Sequence, residues 1–275
     1  MESTDNFKFQ LYSDIHLEFF KSFPQIPPKA DYLFLAGDIG KLSHQNFKPF
    51  FDYCSKNWKK TFYVFGNHEY YSSNKTHKKL NKEYNEFFDT YDNVHLLNDS
   101  FYDLDDTYQI YGSTLWSSID LTNNLNDFKK IKMKNDKNWT VPINLEYYNN
   151  LYENSVNKLF DHIKTGKHNS RKLIILTHYP PLRKTDYQLN DTSHPKYNSE
   201  NLSIKKYFAN DFTNEYLIDY GMTETELYKD VVIWMSGHTH YSYDFNHCTR
   251  FLSNQFGYRD EISETGINMD GLFNL

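Results

Sequence analysis

The chain has 275 residues, a formal net charge of −6 and a sequence pI of about 6.0. That acidic balance argues against nucleic-acid binding through bulk phosphate neutralisation, and no apolar run approaches the length of a transmembrane helix. A hydrophobic content of 39%, with 18% aromatic residues, describes a globular chain whose core is built from Tyr and Phe.

Met1–Asn6 is polar and acidic, with neither the basic nor the apolar region of a signal peptide. A cytoplasmic protein is therefore expected, with Cys54 and Cys248 as thiols. Phe7–Tyr12 is the first of five short apolar runs and leads through Ser13 into Asp14-Ile15-His16. Tyr32–Ala36 leads into Gly37-Asp38, and Phe62–Phe65 into Gly66-Asn67-His68-Glu69. Lys172–Leu176 leads into Thr177-His178, and Val231–Met235 into Gly237-His238-Thr239-His240. Near-continuous hydrophobicity predicts strands buried on both faces, and chemistry just past strand ends is a habit of α/β sheets.

Between these strands, Phe47, Phe50, Phe51 and Cys54 recur with helical spacing. Leu80, Tyr84, Phe87, Phe88 and Tyr91 do the same, as do Leu145, Tyr148, Tyr152, Val156, Leu159 and Ile163. A second strand set is predicted at Val94–Leu97, Phe101–Leu104, Tyr108–Gly112, Tyr241–Phe245 and Thr249–Leu252. Asn123–Asn138 reads as a polar loop carrying the basic segment from Lys129 to Lys134, a solvated surface or, more sharply, a phosphate-attracting flap. Tyr179–Tyr220 is long and Pro-marked, and is expected to form the rim of a pocket. The polar motifs run from residue 14 to residue 240. Convergence of their side chains would require a single domain over residues 1–275.

The motifs supply oxygen and imidazole donors. Asp14 and His16 stand two residues apart at a strand end, where extended backbone turns both to one side. His238 and His240 repeat the pattern. Asp38 follows the most hydrophobic strand, where a carboxylate is costly to bury unless paired or metal-bound, and its two oxygens can bridge two ions. Asn67 offers a neutral carbonyl oxygen. His68, its neighbour, must point elsewhere in the site.

This set of motifs resembles the calcineurin-like metallophosphoesterase superfamily, whose pattern is D-x-H, G-D, G-N-H-[DE], H and G-H-x-H. The resemblance covers residues 7 to 260. It implies a four-layer αββα sandwich, an α/β fold of two mixed sheets packed face to face with flanking helices. It implies that Asp14, His16, Asp38 and His240 hold one divalent ion, and that Asp38, Asn67, His178 and His238 hold a second. Asp38 would bridge them, and His68 would contact the phosphate or the leaving group. The implied reaction is hydrolysis of a phosphate ester by a metal-bridging hydroxide, with Asp38 and His68 as catalytic residues. With no thiolate among the donors, Mn, Fe, Zn, Ni or Co would suit the site.

The protein-phosphatase branch of the family places arginines beside its metal motifs. Here Asp38 is followed by Ile39-Gly40-Lys41 and Glu69 by Tyr70-Tyr71. A small substrate is therefore expected, a phosphodiester or nucleotide rather than a phosphoprotein. Ser13 to Phe19, Gly112 to Trp116 and Ser253 to Tyr258 are similar to the small cytosolic phosphoesterases of the family. A catalytically silent scaffold is disfavoured, because all seven ligand positions and His68 are present. Nucleic acid is an unlikely partner given the acidic balance, and no membrane partner is expected. Candidate substrate contacts are Trp116, which reads first as a core or rim residue and otherwise as a stacking partner for a base, and Arg183 and His194, with Lys184 and Lys196, in the long segment, where solvated surface is the plainer reading. Of Tyr70, Tyr71, Tyr179 and Tyr241, which directly follow motif residues, one or two are expected to reach the pocket.

Overall fold

The computed structural model describes residues 7–120, 125–183 and 206–275. The strands form two large mixed sheets. The first has the order β13 (Leu272–Asn274), β1 (Lys8–Tyr12), β2 (Tyr32–Leu35), β3 (Lys60–Val64), β4 (Val94–Leu97). The second has the order β11 (Tyr243–Asn246), β12 (Arg250–Ser253), β10 (Val231–Ser236), β9 (Lys172–Thr177), β6 (Tyr108–Ser113), β5 (Ser100–Asp103). Strands β1 to β4 run parallel, as do β6, β9, β10 and β12, and antiparallel strands flank them at the edges.

The period of two along each strand sorts its side chains into two cores. Phe34 and Ala36 join Phe9, Leu11, Phe62 and Val64 in one buried cluster with Ile174, Leu176, Ile233 and Met235 of the other sheet. Leu33, Leu35 and Tyr63 turn the other way, into a cluster with Phe47, Phe50, Phe51 and Cys54 of α1 (Phe47–Asn57) and Leu80, Tyr84 and Phe88 of α2 (His77–Phe88). Leu173, Ile175 and Tyr111 likewise belong with Tyr148, Tyr152, Val156 and Leu159 of α4 (Leu145–Lys164). Both faces of both sheets are covered, so the near-continuous apolar strands are those of an αββα sandwich. Both cysteines are thiols, Cys54 buried and Cys248 exposed. Among the described residues no helix is long and apolar enough to cross a membrane.

Gly112 on β6 lies where the two sheets pack tightly against each other. A Cβ there would lie 2.2 Å from Leu97 Cβ on β4. Gly112→Ala is expected to destabilise the protein by about 1–3 kcal/mol through overpacking, read as a lower denaturation midpoint at unchanged slope. An unchanged midpoint would mean that the sheets can separate there at no cost.

Two departures from expectation bear on the site. The polar stretch expected as a loop contains a one-turn helix, α3 (Asp127–Lys130), and a strand, β7 (Lys132–Lys134), paired antiparallel with β8 (Thr140–Pro142). Burial explains it: Asp127 and Ile131 are both 0% exposed and anchor the segment, while its lysines stay outside. The terminal strand β13 was also not expected; Phe273 packs its ring 6.0 Å from that of Phe9.

Candidate active site

Each polar motif follows the C-terminal end of a parallel strand: Asp14 after β1, Asp38 after β2, Asn67 after β3, His178 after β9, His238 after β10. A single parallel bridge, Ser13 to Gln255, links the first sheet to the second at this end. Expected donors from both sheets thereby meet.

Their backbone is not extended. Asp14, His16, Asp38, His238 and His240 have φ of 54°, 51°, 51°, 73° and 52°, in the left-handed region that L-residues avoid. The strained loops are held by hydrogen bonds: Asp14 N donates to Gly37 O at 3.0 Å and His16 N to Asp38 O at 2.9 Å. His238 N donates to the Asp14 carboxylate at 3.0 Å, and His240 N to Gln255 Oε1 at 2.5 Å. Convergence of these side chains thus comes from left-handed turns rather than from strand alternation. Gly66 serves the same crowding, since a Cβ there would lie 2.1 Å from Asp38 Oδ1.

Two groups of donors result. Asp14, His16 and His240 place one donor atom each within 4.8 Å of one another, as do Asp38, His178 and His238. In the first, His16 Nε2 and His240 Nε2 face each other at 3.2 Å, with Asp14 Oδ1 3.5 Å from His240 Nε2. In the second, His238 Nδ1 lies 3.1 Å and Asn67 Oδ1 3.3 Å from His178 Nε2. Asp38 Oδ2 stands between the groups, 3.6 Å from His178 Nε2 and 3.9 Å from His16 Nε2. His178 Nδ1 donates to Ala36 O at 2.8 Å, so its Nε2 turns a lone pair inward. Nitrogens facing one another across about 3 Å, beside carboxylates, make a donor set suited to cations.

The electrostatics agree. Burial, with the nearby charges of Glu69 and Asp14, pushes the Asp38 carboxyl well above the usual range. Burial also pushes Asp14 up, but the surrounding histidines outweigh it and hold it below the carboxylate range. Burial pushes His178 down to about 4. Burial holds His178 and His238 in the neutral form that metal ligands require, whereas His240, against its burial, is raised to about 9 by its hydrogen bonds to Asp14 and Glu261.

Several residues around these donors carry no local sequence signal for their roles. Glu69, 1% exposed, binds the loops together: Oε1 accepts from Ile39 N and Tyr63 OH, both at 2.8 Å, and Oε2 accepts from Gly66 N at 2.8 Å. Glu261 accepts from His240 Nδ1 at 2.5 Å and so turns Nε2 of that ring toward Asp14. Asp127 is fully buried. Its Oδ1 accepts from Asn67 Nδ2 at 2.9 Å and Tyr71 OH at 2.7 Å, and its Oδ2 from Tyr179 OH at 3.3 Å. With its amide nitrogen committed to Asp127, Asn67 presents its oxygen to His178. Burial raises the Asp127 carboxyl, against these hydrogen bonds.

His68 sits at the edge of the cluster. Its Nε2 lies 4.0 Å from Asp38 Oδ2 and 3.4 Å from Tyr258 OH, and its ring packs 4.3 Å from that of Tyr71. Its Nδ1 is 3.6 Å from Glu18 Oε1, which is also 3.7 Å from His16 Nδ1. Burial and the neighbouring His16 push the His68 imidazole down to about 3, with Glu18 opposing.

The expected substrate contacts fare differently. Trp116 is 3% exposed and packed among Tyr70, Tyr148 and Tyr179. It is a core residue, and its ring has no open face for a base, which corrects the stacking role expected for it. Arg183 pairs with Asp211, beside a cavity lined by Ser118, Asp120 and Tyr216 rather than by the donor groups. His194, Lys184 and Lys196 lie outside the described residues. The stretch expected as a pocket rim is described at its flanks. Tyr207 and Phe208 return to the site, with Tyr207 OH 3.3 Å from Asn67 Nδ2 and the Phe208 ring 5.5 Å from His238.

A protein designated "Uncharacterized protein L509", from Acanthamoeba polyphaga mimivirus, is 32% identical over 272 residues, covering 90% of each chain. Among solved structures, phosphopantetheinyl hydrolase from Mycobacterium tuberculosis superposes with a TM-score of 0.63 at 14% identity, over 98% of this chain and 95% of that one. This second likeness shows the fold. The family model for calcineurin-like phosphoesterase matches residues 7–242. Taken with the sandwich and its clustered metal-ligating side chains, that match shows that the chain belongs to the calcineurin-like phosphoesterases and is a metal-dependent phosphoric ester hydrolase.

Proposed function

We propose that this chain hydrolyses a small phosphate ester, a phosphodiester or nucleotide in preference to a phosphoprotein, at a binuclear metal centre. The observation that supports this most is the meeting of two nitrogen–oxygen donor groups at Asp38, with His68 at their edge. Asp14, His16, Asp38 and His240 would hold one ion; Asp38, Asn67, His178 and His238 would hold the other. Two divalent ions, of the Mn, Fe, Zn, Ni or Co type, would supply a water of lowered pKa and positive charge for the phosphoryl oxygens. His68 donates a hydrogen bond to the leaving oxygen, and Glu18 at its Nδ1 orients the ring. An anionic substrate against His68 would raise its low proton affinity.

The test is a panel of aryl mono- and diesters and nucleotides with protein reconstituted in turn with each ion. Inactivity across every ion and ester would overturn the reading.

Asp127 acts in this scheme by orienting Asn67. Asp127→Ala is expected to weaken metal binding by about 10–100-fold, as loss of a partner behind a ligand does. Titration calorimetry measures it directly, and a wild-type affinity would remove Asp127 from the site.

A further inference from the structure

Two lysines remain unexplained by this chemistry, and both approach the ring of Tyr71. Lys41 follows the Asp38 motif by three residues, and its Nζ lies 6.0 Å from the centre of the Tyr71 ring. Lys130 belongs to the basic segment, and its Nζ lies 5.0 Å from the same ring centre. That ring is the one packed 4.3 Å from His68.

The placement is built rather than incidental. Asp127, three residues before Lys130, is locked under Tyr71 by the 2.7 Å hydrogen bond from Tyr71 OH. Ser72 N donates to Lys130 O at 3.0 Å, which ties the basic segment to the loop that carries His68. Beside Tyr71 opens a cavity of about 290 Å³, lined by Lys41, Glu69, Tyr71, Ser72, Asn74 and Lys75. Its acids are already engaged. Glu69 accepts from backbone amides and Tyr63, and Glu83 pairs with Lys75 at 2.6 Å. Among the described residues no carboxylate forms an ion pair with Lys41 or Lys130. Lys41 lines that cavity and Lys130 approaches the same Tyr71 ring from the basic segment; two ammonium groups about one aromatic ring favour a multiply charged anion.

We propose that Lys41 and Lys130 form an anion subsite over Tyr71, on the leaving-group side of His68. It selects phosphate esters whose leaving group carries a second phosphate-type group. This rests on the reading of the site as a phosphoesterase in which His68 faces the leaving group.

The experiment compares two methyl aryl phosphodiesters on the metal-reconstituted full chain, one with a 4-methylphenyl and one with a 4-(phosphonomethyl)phenyl leaving group. Wild type is expected to prefer the phosphonate ester by about tenfold in kcat/KM, the preference shrinking as ionic strength rises. Lys41→Met and Lys130→Met should each erode the preference and together abolish it, leaving the 4-methylphenyl ester within about twofold of wild type. Equal preference in the double variant, no preference in wild type, or an equal fall for both esters would overturn the subsite. A binding readout separates the two readings: titration with 4-hydroxybenzylphosphonate should be about tenfold weaker for the double variant. If neither ester is hydrolysed yet binding weakens, the activity reading fails and the subsite stands. If binding is unchanged, the subsite is wrong.

Discussion

Asp38→Asn is expected to lower kcat/KM on any phosphate ester by on the order of 10³-fold or more and to remove bound metal. Asp38 belongs to one donor group and faces the other, with Oδ2 between His178 and His16 while Oδ1 accepts from His68 N at 2.9 Å. An amide there has one oxygen and no charge, so it could not neutralise the two ions proposed for the site. The several kcal/mol of transition-state stabilisation that a correctly held centre supplies would be lost. The same exchange relieves repulsion in the metal-free protein, because Asp38 is buried near Asp14 and Glu69. The apo variant should therefore melt no lower than apo wild type. Metal should stabilise wild type by about 2.7 kcal/mol at a hundredfold excess over Kd, and stabilise the variant far less. Wild-type turnover with wild-type metal content in the variant would refute the bridging role.

His68→Gln is expected to leave metal binding intact and to lower kcat by about 10²–10⁴-fold, the range for loss of a positioned proton donor. Its ring touches Glu18, Tyr71 and Tyr258 but belongs to neither inner donor group of Asp14, His16, His240 or Asp38, His178, His238. The loss should depend on the leaving group. Esters of acidic phenols, which depart without help, should lose little; esters of aliphatic alcohols should lose most. A plot of log kcat against leaving-group pKa should steepen in the variant. Parallel lines for the two proteins would place His68 on the phosphoryl oxygens instead, and loss of metal would make it a ligand.

The legible part of the protein was what short-range chemistry can write. Apolar runs of β-branched and aromatic residues predict strands because alternate side chains must be buried on both faces, and ten of the thirteen strands among the described residues arise from predicted ones. The donors were visible because Asp, His and Asn beside glycine at strand ends have little value in packing. Tyr71 and Tyr179 could be flagged only as neighbours of motifs. The residues that aim the donors left no such trace. Asn67 and Asp127 are 60 positions apart, and Asp127 sits in a stretch whose polarity reads as solvent-exposed loop. Glu261 lies 21 residues beyond His240, and Glu69 was visible in its motif without its task of tying two loops together. Trp116 is the converse case, an aromatic that could have served the substrate but that packing claims for the core.

By itself the sequence determined the donor chemistry, the order of the strands that carry it and hence the family. Those depend on residue type and local period, which neighbours in the chain settle between them. Only the tertiary structure decided which carboxylate backs which ligand, that the turns are left-handed, and that Lys41 and Lys130 approach one aromatic ring. Each of these is a contact between distant segments, made only when burial forces a polar group to find a partner in whichever loop the sheets bring beside it.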